Sequence, residues 1–327
     1  MLFNGFSKTG KNIKFPYYLS CFLRTYFVPR FICRNQLEPT LRKAKDRSDY
    51  PYIQERVDYY CKLSNNTPLS AHAPRIGDLR MERKKGKWIV RKHTVYFFDS
   101  YEYLRYFDPS LKWNYVFGDV VTVPPEPAIV KSRPLVEDNV NSVLLNLDKV
   151  RHFIFLKDPL PFRAKKGFVV FRGGMHNPKR QRFCELFHNH AEIDAGTTAT
   201  RKGPDEWCKP RKSIREHLNY KFVMSIEGID VASNLKWIMS SNSAAVMPRP
   251  TCETWFMEGK LIPDYHYIEV KDDFSDLEEK LRHYAETPHL AESISRQANE
   301  YCAQFFDLER EKIISLLVLQ KYLGYVQ

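Results

Sequence analysis

The sequence predicts an α/β protein built on a doubly wound parallel sheet, and three observations carry that prediction. From Trp88 onward, short β-branched and aromatic runs alternate with amphipathic stretches, the pattern of strand–helix units joined by short connections. Two of the predicted strands, "FVVF" and "KFVMSI", run into glycine turns and then into helix starts, at the edge where such sheets hold ligands. The chain has 327 residues, 43% of them hydrophobic, which is enough for a substantial core and more than one compact core usually holds, so two domains are expected.

Taken in order, residues 38 to 86 are polar, helical in parts, and punctuated by turn signals at Pro51, "NNTP" and "HAPRIG". Beyond them "KWIV" and "TVYFF" read as strands, "SYEYLRYF" as a helix, "NYVF" as a strand and "RHFIFL" as a buried strand. The stretch 158 to 167, "DPLPFRAKKG", has the proline and charge content of a linker. A second alternation follows: strand "FVVF", helix "NPKRQRFCELF" with Pro178 in its first turn, and strand "AEID". Next come helix "SIREHL", strand "KFVMSI", helix "ASNLKWIMSS", strand "AAVM", a helical turn "CETWFME", strand "YHYIEV" and helix "SDLEEKLRHYAE". Ser275 and Glu278 are spaced as a capping box for the last of these. After Pro288 the pattern is continuous amphipathic helix, long enough to cross back onto the first half.

The net charge of +12 calls for an anionic partner: nucleic acid, a phosphorylated sugar donor or a membrane surface. Seven scattered cysteines without a Cys-x-x-Cys pair fit a reducing compartment. Lys and Arg interrupt every apolar run of the first 37 residues, so neither a signal h-region nor a membrane span is expected there. That segment carries Lys8, Lys11, Lys14, Arg24, Arg30 and Arg34 among many aromatics, with no acid before Glu38. It reads either as an arm packed on the body by its aromatics or as an interfacial segment drawn to anionic lipid.

The stretch "EGIDVASNLKW" puts Ser233, Asn234 and Lys236 between a strand and a helix, where backbone N–H groups and side-chain donors suit a phosphate or a sugar hydroxyl. Helix capping by Ser and Asn with a solvated Lys236 is the plainer alternative. "FVVFRGGMHNPKRQR" repeats the design with Arg172, the Gly173–Gly174 turn and a helix bearing Lys179, Arg180 and Arg182. Two phosphate-ready edges in one sheet suggest a diphosphate donor, although neither a Walker A sequence nor G-x-G-x-x-G occurs.

These residues resemble the family 90 glycosyltransferases. The likeness rests on "FRGG" with its basic helix, on "YKFVMSIEGIDVASNLKWIMSSNSAAVM" and on "ETWFMEGKLIPDYHYIEVKDDFSDLEEKL", three motifs in order over residues 87 to 286. The wording "ASNLKWIMSSNS" and "VFGDVVTVPPEPAIVKSRP" is most similar to the bacterial lipopolysaccharide-core branch. The resemblance implies a GT-B architecture, two Rossmann-like domains facing across a cleft, and inverting transfer from a UDP-hexose. Its expected division is a basic aromatic arm (1–37), an acceptor-side Rossmann-like domain (38–160), a nucleotide-sugar-binding one (161–287) and C-terminal helices packing back on the first domain (288–327).

By the same resemblance, Arg172 and Gly173 match the phosphate-contacting turn and Arg180 the basic helix. Ser233 and Lys236, with Asn234 between them, match the diphosphate-reading stretch, and Glu253 an acid that binds ribose or sugar hydroxyls. Asp119 matches the catalytic base, in "GDVVTVP" where eukaryotic relatives have Asp-Trp-Pro.

Inverting transfer is a single displacement that requires one base and several cations. Asp99, Asp108 and Glu126 compete with Asp119 for the first role, and Arg133 is a further cation, either facing the cleft or on the surface. No Asp-x-Asp, His-x-x-x-His or paired Cys pattern occurs, so no metal and no cofactor are expected. The expected partners are a UDP-hexose, a lipid-linked or oligosaccharide core acceptor and an anionic membrane surface, with no nucleic acid. That places the enzyme on the cytoplasmic side of a bacterial inner membrane. A nucleic-acid-binding protein, or an inactive interaction module of the same fold, is the alternative.

Overall fold

The computed structural model describes residues 10–79, 94–198 and 203–327, and the backbone of a hairpin at 83–84 and 87–88. Lys8 of the arm, and Ile89 and Val90 of the strand expected at "KWIV", lie outside the described residues.

The first half opens with three helices, α1 (Lys14–Phe27), α2 (Arg30–Lys45) and α3 (Tyr50–Tyr60). The expected boundary of the arm at residue 37 falls inside α2. The hairpin β1 (Arg83–Lys84) and β2 (Lys87–Trp88) leads to α4 (Thr94–Leu104). Here "TVYFF" is helix, not strand. All but one residue of α4 are buried, so aromatics surround the helix and no 3.6-residue polar face is left to reveal it.

Next come β3 (Tyr115–Val116), β4 (Ala128–Val130), β5 (Ser132–Pro134) and β6 (Ser142–Leu144), with β3, β4 and β6 forming a short parallel sheet. The expected strand "RHFIFL" is instead the end of α5 (Lys149–His152) followed by extended chain that pairs with no strand.

The second half holds the predicted doubly wound sheet. Its elements are β7 (Gly167–Gly173), α6 (Pro178–Phe187), β8 (Ile193–Thr197), α7 (Ile214–His217) and β9 (Tyr220–Met224). These are followed by α8 (Leu235–Met239), β10 (Ala244–Met247), β11 (Cys252–Thr254), β12 (Ile268–Glu269) and α9 (Leu277–Glu286). Five strands are parallel in the order β8-β7-β9-β10-β12. Counted along the chain that is 2-1-3-4-5, so winding reverses between β7 and β9, and the loops leaving these two strands border the ligand crevice.

Strand alternation puts Val169, Phe171, Phe222 and Met224 into a core under α6 and α9, and Val170, Val223 and Ala245 into a core shared with the first half. The halves are further joined by β11, which pairs antiparallel with β5 and is a strand where a helical turn was expected. The Ser275–Glu278 capping box does not form, because α9 starts one residue later, at Leu277 after Asp276.

Helices α10 (Pro288–Ala303) and α11 (Leu308–Val326) complete the chain, and α11 packs on α2, α3 and α4. Its Glu311 accepts hydrogen bonds from Trp255 Nε1 at 2.6 Å and Arg56 Nη2 at 3.1 Å, inside the core.

Candidate active site

The switch point is held by two side chains, Asn177 and Arg180. Pro178 starts α6 and Asn177 caps it, accepting from Lys179 N at 2.8 Å and donating Nδ2 to Gly228 O at 2.9 Å. This aims Arg180 at both loops: Nε and Nη2 donate to Ile226 O at 3.0 and 2.7 Å, and Nη1 donates to Gly174 O at 3.1 Å. A side chain at Gly173 would crowd this clasp, since its Cβ would lie 2.8 Å from the Phe171 ring and 3.3 Å from Arg180 Nη1. No carboxylate of the described residues lies within ion-pair distance of Arg180, and three of a guanidinium's five N–H groups are used. Burial pushes its pKa down to about 10, against the weaker pull of Glu227 and Asp230.

Beside this clasp a pocket opens at the ends of β9 and β10, lined among others by Lys179, Ser225, Glu227, Ala232, Met247 and Arg249. Glu227 ties its two rims together, accepting from Thr251 N and Oγ1 at 2.8 and 2.7 Å. Burial raises the Glu227 carboxyl above its ordinary range, although those donors oppose the shift.

The other predicted donor-side residues are placed differently. Arg172 turns along β7, donating Nη2 to Asp194 Oδ1 at 2.7 Å and Nε to Pro210 O at 3.0 Å. In "EGIDVASNLKW", Ser233 is exposed, while Asn234 accepts from Ser225 Oγ at 3.1 Å and donates to Met224 O at 3.0 Å, fastening the turn to β9. Lys236 is fully buried, its Nζ 2.5 Å from Glu258 Oε1 and 5.1 Å from the centre of the Phe256 ring. The solvated Lys236 of the plainer alternative is therefore not what the structure shows. Glu253 is also buried, paired with Arg133 at 2.7 Å and hydrogen-bonded by Tyr59 Oη. The strand pairing of β5 with β11 sets Arg133 directly opposite Glu253, so Arg133 is an interior residue and not a surface one.

Asp119 follows β3 after Gly118, whose φ of +120° is a backbone conformation suited to glycine. Its Oδ1 lies 2.6 Å from Lys131 Nζ, which is also 2.6 Å from Asp230 Oδ2 in the "EGID" loop. Lys131 is buried and so joins Asp119 to the rim of the second half. Arg151 Nη2 stands 3.5 Å from Asp119, and its Nε pairs with Asp148 at 2.7 Å. Next to them His152 is buried with no hydrogen-bond partner for either ring nitrogen among the described residues. Burial first, then the cations Lys131, Lys236 and Arg151, push its pKa well below the ordinary histidine value.

Of the competing acids, Asp99 is buried beneath α1, accepting from Tyr17 Oη at 2.8 Å and Lys149 N at 3.1 Å. Asp108 closes an exposed turn, accepting from Ser110 N at 2.8 Å and pairing with Arg34 at 3.0 Å. Asp119 is the one of these carboxylates that the structure links to the second half's ligand edge. Lys131, Glu227 and Asp230 were missed as site residues in the sequence, although all three stand inside the stretches "VKSRP" and "EGID". The signal available was a charged side chain beside a strand end.

The glycosyl transferase family 90 model matches residues 139–324, which include the switch-point loops and the pocket, while Asp119 and Lys131 precede them. The chain is 42% identical over 275 residues to the O-glucosyltransferase LpsA of Dichelobacter nodosus, covering 84% of each chain. It is also 24% and 23% identical over 158 residues to protein O-glucosyltransferase 1 of Rattus norvegicus and Homo sapiens, covering 46% of this chain and 40% of each of theirs. A basic clasp at the switch point, a carboxylate linked to it from the first half and these likenesses agree: the chain belongs to glycosyl transferase family 90 and is a glycosyltransferase.

Proposed function

We propose that the chain is an inverting O-glucosyltransferase that moves glucose from UDP-glucose to a hydroxyl of a lipopolysaccharide or lipooligosaccharide core. It works at the cytoplasmic face of a bacterial inner membrane, with two Rossmann-like halves in a GT-B arrangement. The observation that carries this reading is the pairing of Arg180, a cation without a carboxylate partner at the switch point, with Asp119, which Lys131 connects to the same rim. The glucosyl part rests on the likeness to the O-glucosyltransferase LpsA, and the lipopolysaccharide part on the resemblance of "ASNLKWIMSSNS" and "VFGDVVTVPPEPAIVKSRP" to the bacterial lipopolysaccharide-core branch.

In this mechanism Asp119 takes the proton of the acceptor hydroxyl as its oxygen bonds to the anomeric carbon, and the bond from that carbon to the diphosphate breaks. UDP leaves with the electron pair. Arg180 meets the developing charge, with Lys179 at the pocket rim. No metal is assigned a role.

The test is transfer to a purified core oligosaccharide from a panel of UDP-sugars, by the parent and by Asp119→Asn. UDP-glucose is expected to be the preferred donor, and the variant to lose about 10²-fold or more in turnover while binding UDP within a few fold. Full turnover by Asp119→Asn would move the base to another carboxylate.

A further inference from the structure

Helix α1 is apolar on two opposite faces, and only one of them is used. Tyr17 and Cys21 face inward onto α4, where Tyr17 bonds Asp99 and Arg24 pairs with Glu102. The opposite face carries Phe15, Leu19, Phe22, Leu23, Tyr26 and Phe27, which follow one another at helical spacing along one stripe. Phe15 is 73% exposed, Phe27 71%, and Phe31 at the start of α2 62%. Of the twenty-one large hydrophobic side chains exposed among the described residues, ten lie between Ile13 and Ile32. Soluble surfaces scatter such residues singly, so a contiguous stripe marks a surface that is covered in use.

The charge of the segment says by what. From Gly10 to Leu37 the charged residues are Lys11, Lys14, Arg24, Arg30 and Arg34, with no acid among them. Arg24 and Arg34 are paired with Glu102 and Asp108 of the body, which leaves Lys11, Lys14 and Arg30 to set the sign of this surface. A second copy would bring the same sign of charge to the contact. An anionic lipid surface offers the opposite sign and, beneath its headgroups, an apolar layer for the aromatic stripe. No helix of the described residues is long and apolar enough to cross a membrane, which fits a helix lying in the interface.

We propose that the outer face of α1 and the start of α2 dock the enzyme on an anionic bilayer, the aromatic stripe entering the headgroup region and Lys11 and Lys14 resting among the phosphates. The proposal deepens the lipid-acceptor reading above and rests on it for its purpose. Docking through α1 also fixes the active site relative to the membrane. Tyr17 bonds Asp99, Asp99 accepts from Lys149 N, and Lys149 opens the short helix whose Arg151 reaches Asp119.

The experiment is co-sedimentation of the full chain with vesicles of phosphatidylethanolamine and phosphatidylglycerol, compared with pure phosphatidylcholine. The quadruple variant Phe15→Ser/Leu19→Ser/Phe27→Ser/Phe31→Ser is expected to keep the parent's melting temperature. Its bound-to-free ratio on anionic vesicles should fall at least about tenfold at both low and high salt. Lys11→Gln/Lys14→Gln should bind less at low salt and match the parent at high salt. Failure of the parent to sediment with anionic vesicles, or sedimentation of the serine variant equal to the parent's, overturns the proposal. So does light scattering that shows a parent dimer dissociating in the serine variant with no change in vesicle binding. Vesicle binding is read without acceptor, so a wrong acceptor assignment shows in the transfer assay alone.

Discussion

The seam between the two halves and the switch point of the second both hold buried or half-buried cations, but they are satisfied in different ways. At the seam each cation meets a carboxylate: Lys131 meets Asp119 and Asp230, Arg133 meets Glu253, and Arg56 meets Glu311. Lys236, just behind the pocket, likewise meets Glu258. At the switch point Arg180 donates to the carbonyl oxygens of Gly174 and Ile226 and lies over the Phe171 ring, with no carboxylate of the described residues at ion-pair distance. A buried cation with its counter-ion is a finished part of the fold, because the desolvation of each charge is offset by the other. A cation held by carbonyl dipoles with no carboxylate at ion-pair distance is still short of a charge, and the diphosphate proposed above would supply it.

The strongest way to break this contrast is at Lys236, which sequence reasoning placed among the donor ligands. Lys236→Ala leaves Glu258 charged and enclosed, a loss expected to cost about 3–5 kcal/mol of stability. Urea unfolding of parent and variant measures it. A variant that unfolds at the parent's midpoint yet no longer binds UDP would return Lys236 to the donor site.

A smaller effect is expected at the switch point, and it falls on binding. Arg180→Ala should weaken UDP about 10- to 100-fold and uridine by no more than about threefold, because phosphate is the proposed target of the guanidinium. Arg172→Ala should lower stability and weaken both ligands alike, since its guanidinium is committed to the Asp194 carboxylate and to three carbonyl oxygens. Titration calorimetry with both ligands distinguishes the two. Equal losses of UDP and uridine in Arg180→Ala would sink the phosphate assignment.

What the sequence disclosed follows from the range of the interactions involved. The five-stranded sheet was legible because each strand is a short β-branched or aromatic run ended by a turn and followed by a helix, all local features. Helix α4 was not, because burial on every side removes the polar face that periodicity needs. Arg172, Arg180 and Lys236 were found as cations near strand ends. Their fates depend on partners brought up by the fold: Asp194 and Glu258 stand 22 residues from the cations they claim, and Glu253 stands 120 from Arg133. Nothing local separates Arg180, which gains no such partner, from the others. Asp230 lay in the very stretch read for phosphate binding and was not singled out there. Its partner Lys131 comes from the other half of the chain.

The smallest effect sharpens the comparison through two carboxylates of opposite behaviour. Burial alone would raise Asp194, but hydrogen bonds from Arg172 and Tyr220 and the nearby cations outweigh it and hold it down at about 2. Asp99 is raised to about 6, chiefly by burial, with Lys149 and Tyr17 only partly opposing. Unfolded, both titrate near the ordinary aspartate value of about 3.9. Asp194 therefore contributes stability that is present above that value and is lost as pH falls toward 2. Asp99 contributes in the opposite sense: its stabilisation is complete below the unfolded value and is lost as pH rises through about 6. Urea midpoints of the parent and of Asp194→Asn should differ by a constant amount from about pH 5 to 8, with the gap closing in stronger acid. The gap between the parent and Asp99→Asn should instead shift against the parent between about pH 4 and 6 and level off above. A gap that is level over that interval and moves in the parent's favour only as pH rises toward about 4 would mean that the folded state prefers the Asp99 carboxylate. In that case Lys149 and Tyr17 outweigh burial, and the anchor beneath α1 is an ion pair like those of the seam.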